Sequence, residues 1–320
     1  MTELGMNERA WSMADRAVED RAALRIAWQT LASGSRVLDA GIGVAGGFAA
    51  GRLLAELCMG GLGHVEYAPL TIDGESWPGV LVWTDHPAAS CMASQYAGWA
   101  IAPEGYFAMG SGPLRAKALV ERELFGKLGY AEQATRGVLV LEGRTPPTDD
   151  VAAWVAQKAG VGPEAVTMAI APTASVAGGV QIVARVIETG LHKMDTLGFD
   201  VTRVVSAMGT APLPPVARSD MRAIGRTNDC VLYGGQARYT VRAEDEELAQ
   251  LAARLPASAS EDYGTPFYDI FKRHDHDFYK IDPLLFSPGE VWLTSATSGR
   301  TFHAGRLNPA VLRASLFESA

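Results

Sequence analysis

The chain has 320 residues, 48% of them hydrophobic and 20% charged, which is enough apolar material for a large core and, by length, for about two domains. A net charge of −8 argues against a nucleic-acid partner, since a polyphosphate needs a basic face to bind. No run of 18 apolar residues exists to span a membrane, and the acid-bearing start MTELGMNERAWSMADRAVEDRAAL does not read as a signal peptide. A cytoplasmic location is expected. Cys58, Cys91 and Cys230 are widely spaced and odd in number; they read as reduced core thiols, neither a disulfide framework nor a zinc site.

In chain order, residues 7–32 place Ala, Leu, Val and Trp at three- and four-residue intervals and predict one amphipathic helix. Residues 35–40 (SRVLDA) predict a strand, and the glycine-rich stretch 41–51 leads into a helix ending near Cys58. GVLVWT (79–84) predicts a second strand, and MGSGPLR (109–115) a loop entering a helix that runs to about Gly126. GVLVLE (137–142) predicts a strand, followed by the proline-rich GRTPPTDD (143–150), the best linker candidate. Domains at 1–145 and 146–320 are therefore expected. Asp150 is placed as the cap of a helix over 151–159. VTMAIA (166–171) predicts a strand, and residues 176–189 a single long helix. EDEELAQLAARL (244–255) predicts a charged amphipathic helix with a solvated acidic first turn. Strand and helix patterns alternate throughout, so the expected class is α/β, with α+β as the alternative.

Three segments bear on chemistry. VLDAGIGVAGG (37–47) satisfies G-x-G-x-x-G at Gly41, Gly43 and Gly46 between a strand and a helix, the setting of a dinucleotide or S-adenosylmethionine loop. The second strand that should end in a ribose-binding acid is missing, because Glu66 falls inside a strand pattern. A tight packing turn is the expectation. His274-Asp275-His276-Asp277 resembles a metal cluster, yet adjacent ligands point apart and no third ligand stands at a familiar spacing. No metal and no cofactor is expected. No G-x-S-x-G elbow is present. Arg185 and Glu188, in QIVARVIETG, share a helix face among Ile182, Val183, Val186 and Ile187. Spacing alone favours a structural ion pair. A partly buried pair has a second use, because the guanidinium keeps the carboxylate ionised and able to act on a water.

At these residues the chain resembles the methenyltetrahydromethanopterin cyclohydrolases, the family of methane-forming archaea and of bacteria that oxidise formaldehyde on the same carrier. The resemblance is carried by CMGGLGHV (58–65), TDHPA (84–88), AGW (97–99), YFAMGSGPLRA (106–116), APTASVAGGVQIVARVIETG (171–190), IGRTNDCVLYGG (224–235), SASEDYGTPFYDIFK (258–272) and DFYKID (277–282). It implies two α/β domains with a substrate cleft, a glycine loop that is not a nucleotide-binding Rossmann site, and a homo-oligomer, with a trimer favoured. It implies reversible, cofactor-free hydrolysis of 5,10-methenyl-tetrahydromethanopterin to the 5-formyl form, with Arg185 and Glu188 as the essential pair. Ser111 and Arg115 are candidates to hold an anionic or hydroxyl part of this pterin partner. Asn228, Asp229, Ser260 and Glu261 are candidates for its hydrogen-bonding edge, and Tyr263, Phe267 or Tyr279 for stacking. The competing functions are an S-adenosylmethionine-dependent methyltransferase, which rests on residues 37–47 alone, and a non-catalytic pterin-binding protein.

Overall fold

In a computed structural model that describes residues 4–277 and 280–318, the strands are β1 (Ala27–Thr30), β2 (Arg36–Asp39), β3 (Gly63–Ile72), β4 (Glu75–Thr84), β5 (Trp99–Ile101) and β6 (Ala108–Ser111), then β7 (Gly137–Glu142), β8 (Val166–Ala171), β9 (Val204–Pro212), β10 (Gln236–Val241), β11 (Glu290–Ser295) and β12 (Thr301–Gly305). The α-helices are α1 (Met6–Glu19), α2 (Arg21–Leu24), α3 (Phe48–Cys58), α4 (Pro113–Ala118), α5 (Arg122–Leu128) and α6 (Asp149–Ala159). They continue with α7 (Val176–Val183), α8 (Val186–Thr196), α9 (Asp220–Leu232), α10 (Asp245–Arg254), α11 (Phe267–Arg273) and α12 (Pro309–Arg313).

The architecture is α/β and divides into two compact units, each assembled from two stretches of chain: Met1–Gly63 with Ala89–Gln181, and His64–Ala88 with Ile182–Ala320. The proline-rich stretch 143–150 lies within the first unit, its residues 143–148 joining β7 to α6 and its last two beginning α6.

The first unit has a six-stranded sheet ordered β1-β2-β8-β7-β6-β5, parallel at β2, β8 and β7 and antiparallel outside them. GVLVLE and VTMAIA, the most continuously apolar runs, form the two central strands, as expected for strands covered on both faces. Period-two alternation divides their side chains between two cores. Leu139, Leu141, Met168 and Ile170 pack with Val151 and Val155 of α6. Val138, Val140, Ala169 and Ala171 pack with Ala10 of α1 and with Leu54 and Leu57 of α3.

The second unit has the order β12-β11-β10-β9-β4-β3, with β10 and β11 parallel and β9 antiparallel to β4 and β10. Val82, Ala207, Ala237, Tyr239 and Leu293 form its buried face, on which α8 packs against β4, β9 and β10. The register puts His303, Trp292, Arg238, Met208 and Trp83 in one row on the opposite face. The Arg238 guanidinium lies 3.9 Å from the Trp292 ring, and His64 stacks on Trp83 at 4.1 Å.

Four local expectations are corrected. The helix over 7–32 ends early: α1 stops at Glu19, and Arg25 adopts φ 56°, after which Ala27–Thr30 pairs with β2. The loop read at 109–115 is the end of β6 and the start of α4 joined at Gly112, and the helix breaks at Leu119, φ 48°. Thr148, not Asp150, caps α6, its Oγ1 accepting from the Val151 N–H. The long helix from 176 to 189 is two helices, interrupted at Ala184 and Arg185 and reaching Thr196.

The approach of α8 to its sheet depends on glycine. A Cβ on Gly190 would lie 2.0 Å from the Tyr239 hydroxyl, which is buried and donates to the Ile187 carbonyl at 2.9 Å. Gly190→Ala is therefore expected to cost about 1–3 kcal/mol, the usual penalty of overpacking a core. Tyr239→Phe in that background should return part of the loss. An unchanged urea midpoint for Gly190→Ala would show that the contact is loose.

Candidate active site

Arg185 and Glu188 come together at the start of α8. Arg185 is the N-cap residue and Glu188 lies in the first helical turn, where the helix dipole favours a negative charge. The two residues are 8% and 5% exposed, with Arg185 Nη1 3.8 Å from Glu188 Oε2. At an effective dielectric of about 20, charges so spaced attract by roughly 4 kcal/mol before desolvation is counted. The separation exceeds a hydrogen bond, so Nη1 pairs with Oε2 by charge and does not bind it directly. The helix break creates this arrangement: in one continuous helix, Arg185 would be an interior residue, not a cap.

Ser111 and Arg115 are both buried in the first unit. The Ser111 hydroxyl lies 3.2 Å from the Cys58 thiol. Arg115 donates to Glu121 and to the Met92 carbonyl, with its guanidinium beside the rings of Tyr96 and Phe125. In the second unit, Asn228 donates to Ile224 O one turn back on α9. Asp229 is fully buried, accepting from the Phe267 N–H at 2.8 Å and from the Ser315 hydroxyl. Burial pushes its pKa up to about 7, against the pull of these two donors. Ser260 donates to Asp282, and Glu261 is exposed. Tyr263 tilts against Tyr233, Phe267 is a core residue between Phe271 and Phe286, and Tyr279 lies outside the described residues.

The glycine loop is closed from within. Asp39 Oδ1 accepts the N–H groups of Gly41 and Ile42, and Oδ2 accepts that of Gly43, all within 2.6–2.8 Å. Amides that would face a phosphate in a nucleotide site are thus satisfied by an acid of the chain itself. Gly46, at φ 56°, and Gly51 allow close passage beside Ala40 and Val180. The packing reading of residues 37–47 is the one the geometry supports. Among the described residues, no three His, Cys, Asp or Glu side chains gather as metal ligands, and His276 packs edge-on against Phe271.

The family model for cyclohydrolase (MCH) matches residues 5–316. The chain belongs to this family. Curated relatives named methenyltetrahydromethanopterin cyclohydrolase match over nearly their whole length. The chain is 47% identical to that of Methylobacillus flagellatus over 98% of itself and 96% of the relative. It is 45% identical to that of Methylobacterium organophilum and 39% to that of Methanococcoides burtonii, each over 97% of both chains.

Two charged residues of this cyclohydrolase-family chain escaped the sequence reading. Glu142 ends β7 and accepts from the Thr173 hydroxyl in the turn after β8, at the carboxyl ends of parallel strands where α/β proteins gather functional groups. Its signal is an acid closing an otherwise apolar strand. Lys193, on α8, is wholly buried and donates to the Pro256 carbonyl at 2.7 Å. Burial lowers its pKa to about 8, with Asp282 opposing the shift and Arg254 adding to it. Its signal is a lysine among Gly190, Leu191 and Met194 on the inward face of a helix.

The raised Asp229 pKa has a stability consequence. The folded chain keeps this proton up to about pH 7, whereas the unfolded chain releases it near pH 4. The contribution is full below pH 4 and is lost as pH rises towards 7, by up to about 4 kcal/mol. Asp229→Asn should therefore gain stability relative to wild type as pH rises from 4.5 to 7.5, measured by urea unfolding at both values. A difference between the two proteins that does not change with pH would refute the assignment.

Proposed function

We propose that this chain hydrolyses the methenyl bridge of a tetrahydromethanopterin-type pterin, with Glu188 as the water-activating carboxylate and Arg185 as the residue that keeps it anionic. The observation that carries the reading is the buried Arg185–Glu188 pair at a helix start, in a chain of the cyclohydrolase family. Methyltransferase chemistry has no such support, since its one motif is closed by Asp39.

The substrate's N5–CH=N10 bridge is a delocalised cation, so its carbon is already electrophilic. Water attacks that carbon and passes a proton to Glu188. That proton is returned to N10 as the C–N10 bond breaks, and the adduct's hydroxyl releases its own proton to solvent as it becomes the carbonyl of the formyl group on N5, so the charge of the cationic bridge leaves as one proton. Removing Arg185 would leave a buried carboxylate without that positive charge, a state relieved by taking up a proton. An anion facing a cationic substrate also aids binding, and it accelerates the reaction only so far as it favours the transition state more.

Three separate, buried, free thiols suit a reducing compartment, in keeping with a cytoplasmic enzyme. The family resemblance adds a homo-oligomer, with a trimer favoured. The sequence-based domain cut near residue 145 stands as a proposal beside the units described above.

Glu188→Gln should fold normally and lose turnover by the roughly 10²–10⁴-fold typical of a removed acid–base group. Arg185→Ala should be severely impaired and Arg185→Lys partly restored, since lysine keeps the charge without the planar fork. The double variant should be far from additive, because each residue acts through the other. Turnover is followed by loss of the methenyl absorbance, with circular dichroism as folding control. A folded Glu188→Gln protein retaining more than about a tenth of wild-type turnover would leave the pair a structural one. Turnover should also survive exhaustive chelation; activity lost with a stoichiometric metal and restored by its return would sink the metal-free reading.

A further inference from the structure

A cavity of about 240 Å³ in the second unit is lined by Arg222, Arg226, Pro266, Tyr268, Asp269, Ala314 and Ser315. It is smaller than the roughly 300–1,000 Å³ of sites for drug-sized ligands, so it suits a small ion or one end of a longer molecule. Two guanidiniums line it, one turn apart on α9, in a chain whose net charge is −8. Arg222 lies over the Tyr268 ring at 4.1 Å and forms no ion pair among the described residues. Arg226 donates to the Pro215 carbonyl, and its pKa is lowered by burial and by the neighbouring charge of Arg222. Like charges held together in a cleft have a cost that a bound anion relieves. Asp269, also in the lining, opposes such an anion.

The walls are fixed by one residue. Asp229, on the same helix as both arginines, accepts from the first N–H of α11 and from the Ser315 hydroxyl. It thus ties α9 to the two segments that complete the cavity. Gly225 belongs to the same construction, since a Cβ there would stand 2.8 Å from Tyr268. The stretch IGRTNDC therefore supplies one charged lining residue, one close contact and one internal clamp.

We propose that this cavity binds an oxyanion, a phosphate or carboxylate group, through the paired guanidiniums of Arg222 and Arg226. The group is either a free anion or the acidic end of the pterin carrier, and the second case rests on the function proposed above. Planar guanidiniums suit either oxyanion by two-point hydrogen bonding.

Inorganic phosphate is the probe, titrated calorimetrically into the full chain at constant ionic strength. Saturable binding is expected, weakened by about tenfold or more in Arg222→Gln, the usual effect of losing a charged hydrogen-bond donor. Asp269→Asn should tighten it, and Arg300→Gln, an equal loss of charge on an exposed residue, should leave it unchanged. Glu188→Gln should bind phosphate like wild type, which separates failure here from failure of the proposed function. A higher KM for the methenyl pterin in Arg222→Gln, with kcat retained, would assign the oxyanion to the carrier; an unchanged KM would assign it to a free anion. Absence of saturable phosphate binding, or equal weakening by Arg222→Gln and Arg300→Gln, would overturn the proposal.

Discussion

The geometry of the second unit depends on how closely α8 can lie on its sheet. Gly190 faces the Tyr239 hydroxyl, and Gly209 of β9 faces Val186 and Ile187, with contacts that would admit no Cβ at either position. Tyr239 then spans from β10 to the Ile187 carbonyl. These contacts fix the first turn of α8 on both sides of Glu188. The role proposed for Glu188 calls for that rigidity, since rotamer freedom would otherwise have to be lost at each turnover.

Burial and charge are in tension along the same helix. Glu188 lies at the positive end of the dipole beside Arg185, while Lys193, one turn and a half further on, is buried with a backbone carbonyl as its hydrogen-bond partner. The second arrangement disfavours the charged form, because burial lowers the Lys193 pKa. Asp229 is a third case, where two hydrogen bonds to the carboxylate are outweighed by complete burial. Location relative to the helix start distinguishes the settings of the two carboxylates: Glu188 lies in the first turn of α8, and Asp229 in the last turn of α9, where it clamps neighbouring segments.

The sequence was most legible where period and composition agreed. β7 and β8 were evident because strands covered on both faces must be continuously apolar. The packing reading of the glycine loop gains from Asp39 a reason that no motif contains: its side chain folds back onto the amides that follow it. Boundaries were harder, because a left-handed Arg25 or Leu119 ends a helix without the glycine that normally announces it. The break at Ala184–Arg185 was invisible for a similar reason, since QIVARVIE is apolar on the faces a continuous helix would need.

The candidate site divides along the same line. Arg185 and Glu188 stood out because they are close in sequence and set among apolar neighbours, so local spacing placed them on one surface. The loop and turn settings of Ser111, Arg115 and Asp229 make them candidate ligand contacts, and the fold also gives each a partner distant in sequence: Cys58 for Ser111, Met92 for Arg115, Ser315 for Asp229. A polar residue in a glycine-rich turn has the same local signature whether it meets a ligand or anchors a remote segment. Only tertiary structure distinguishes the two, through the polar atoms already satisfied within the chain. Arg222, which local sequence gave no reason to select, has its guanidinium over the Tyr268 ring in the lining of a cavity.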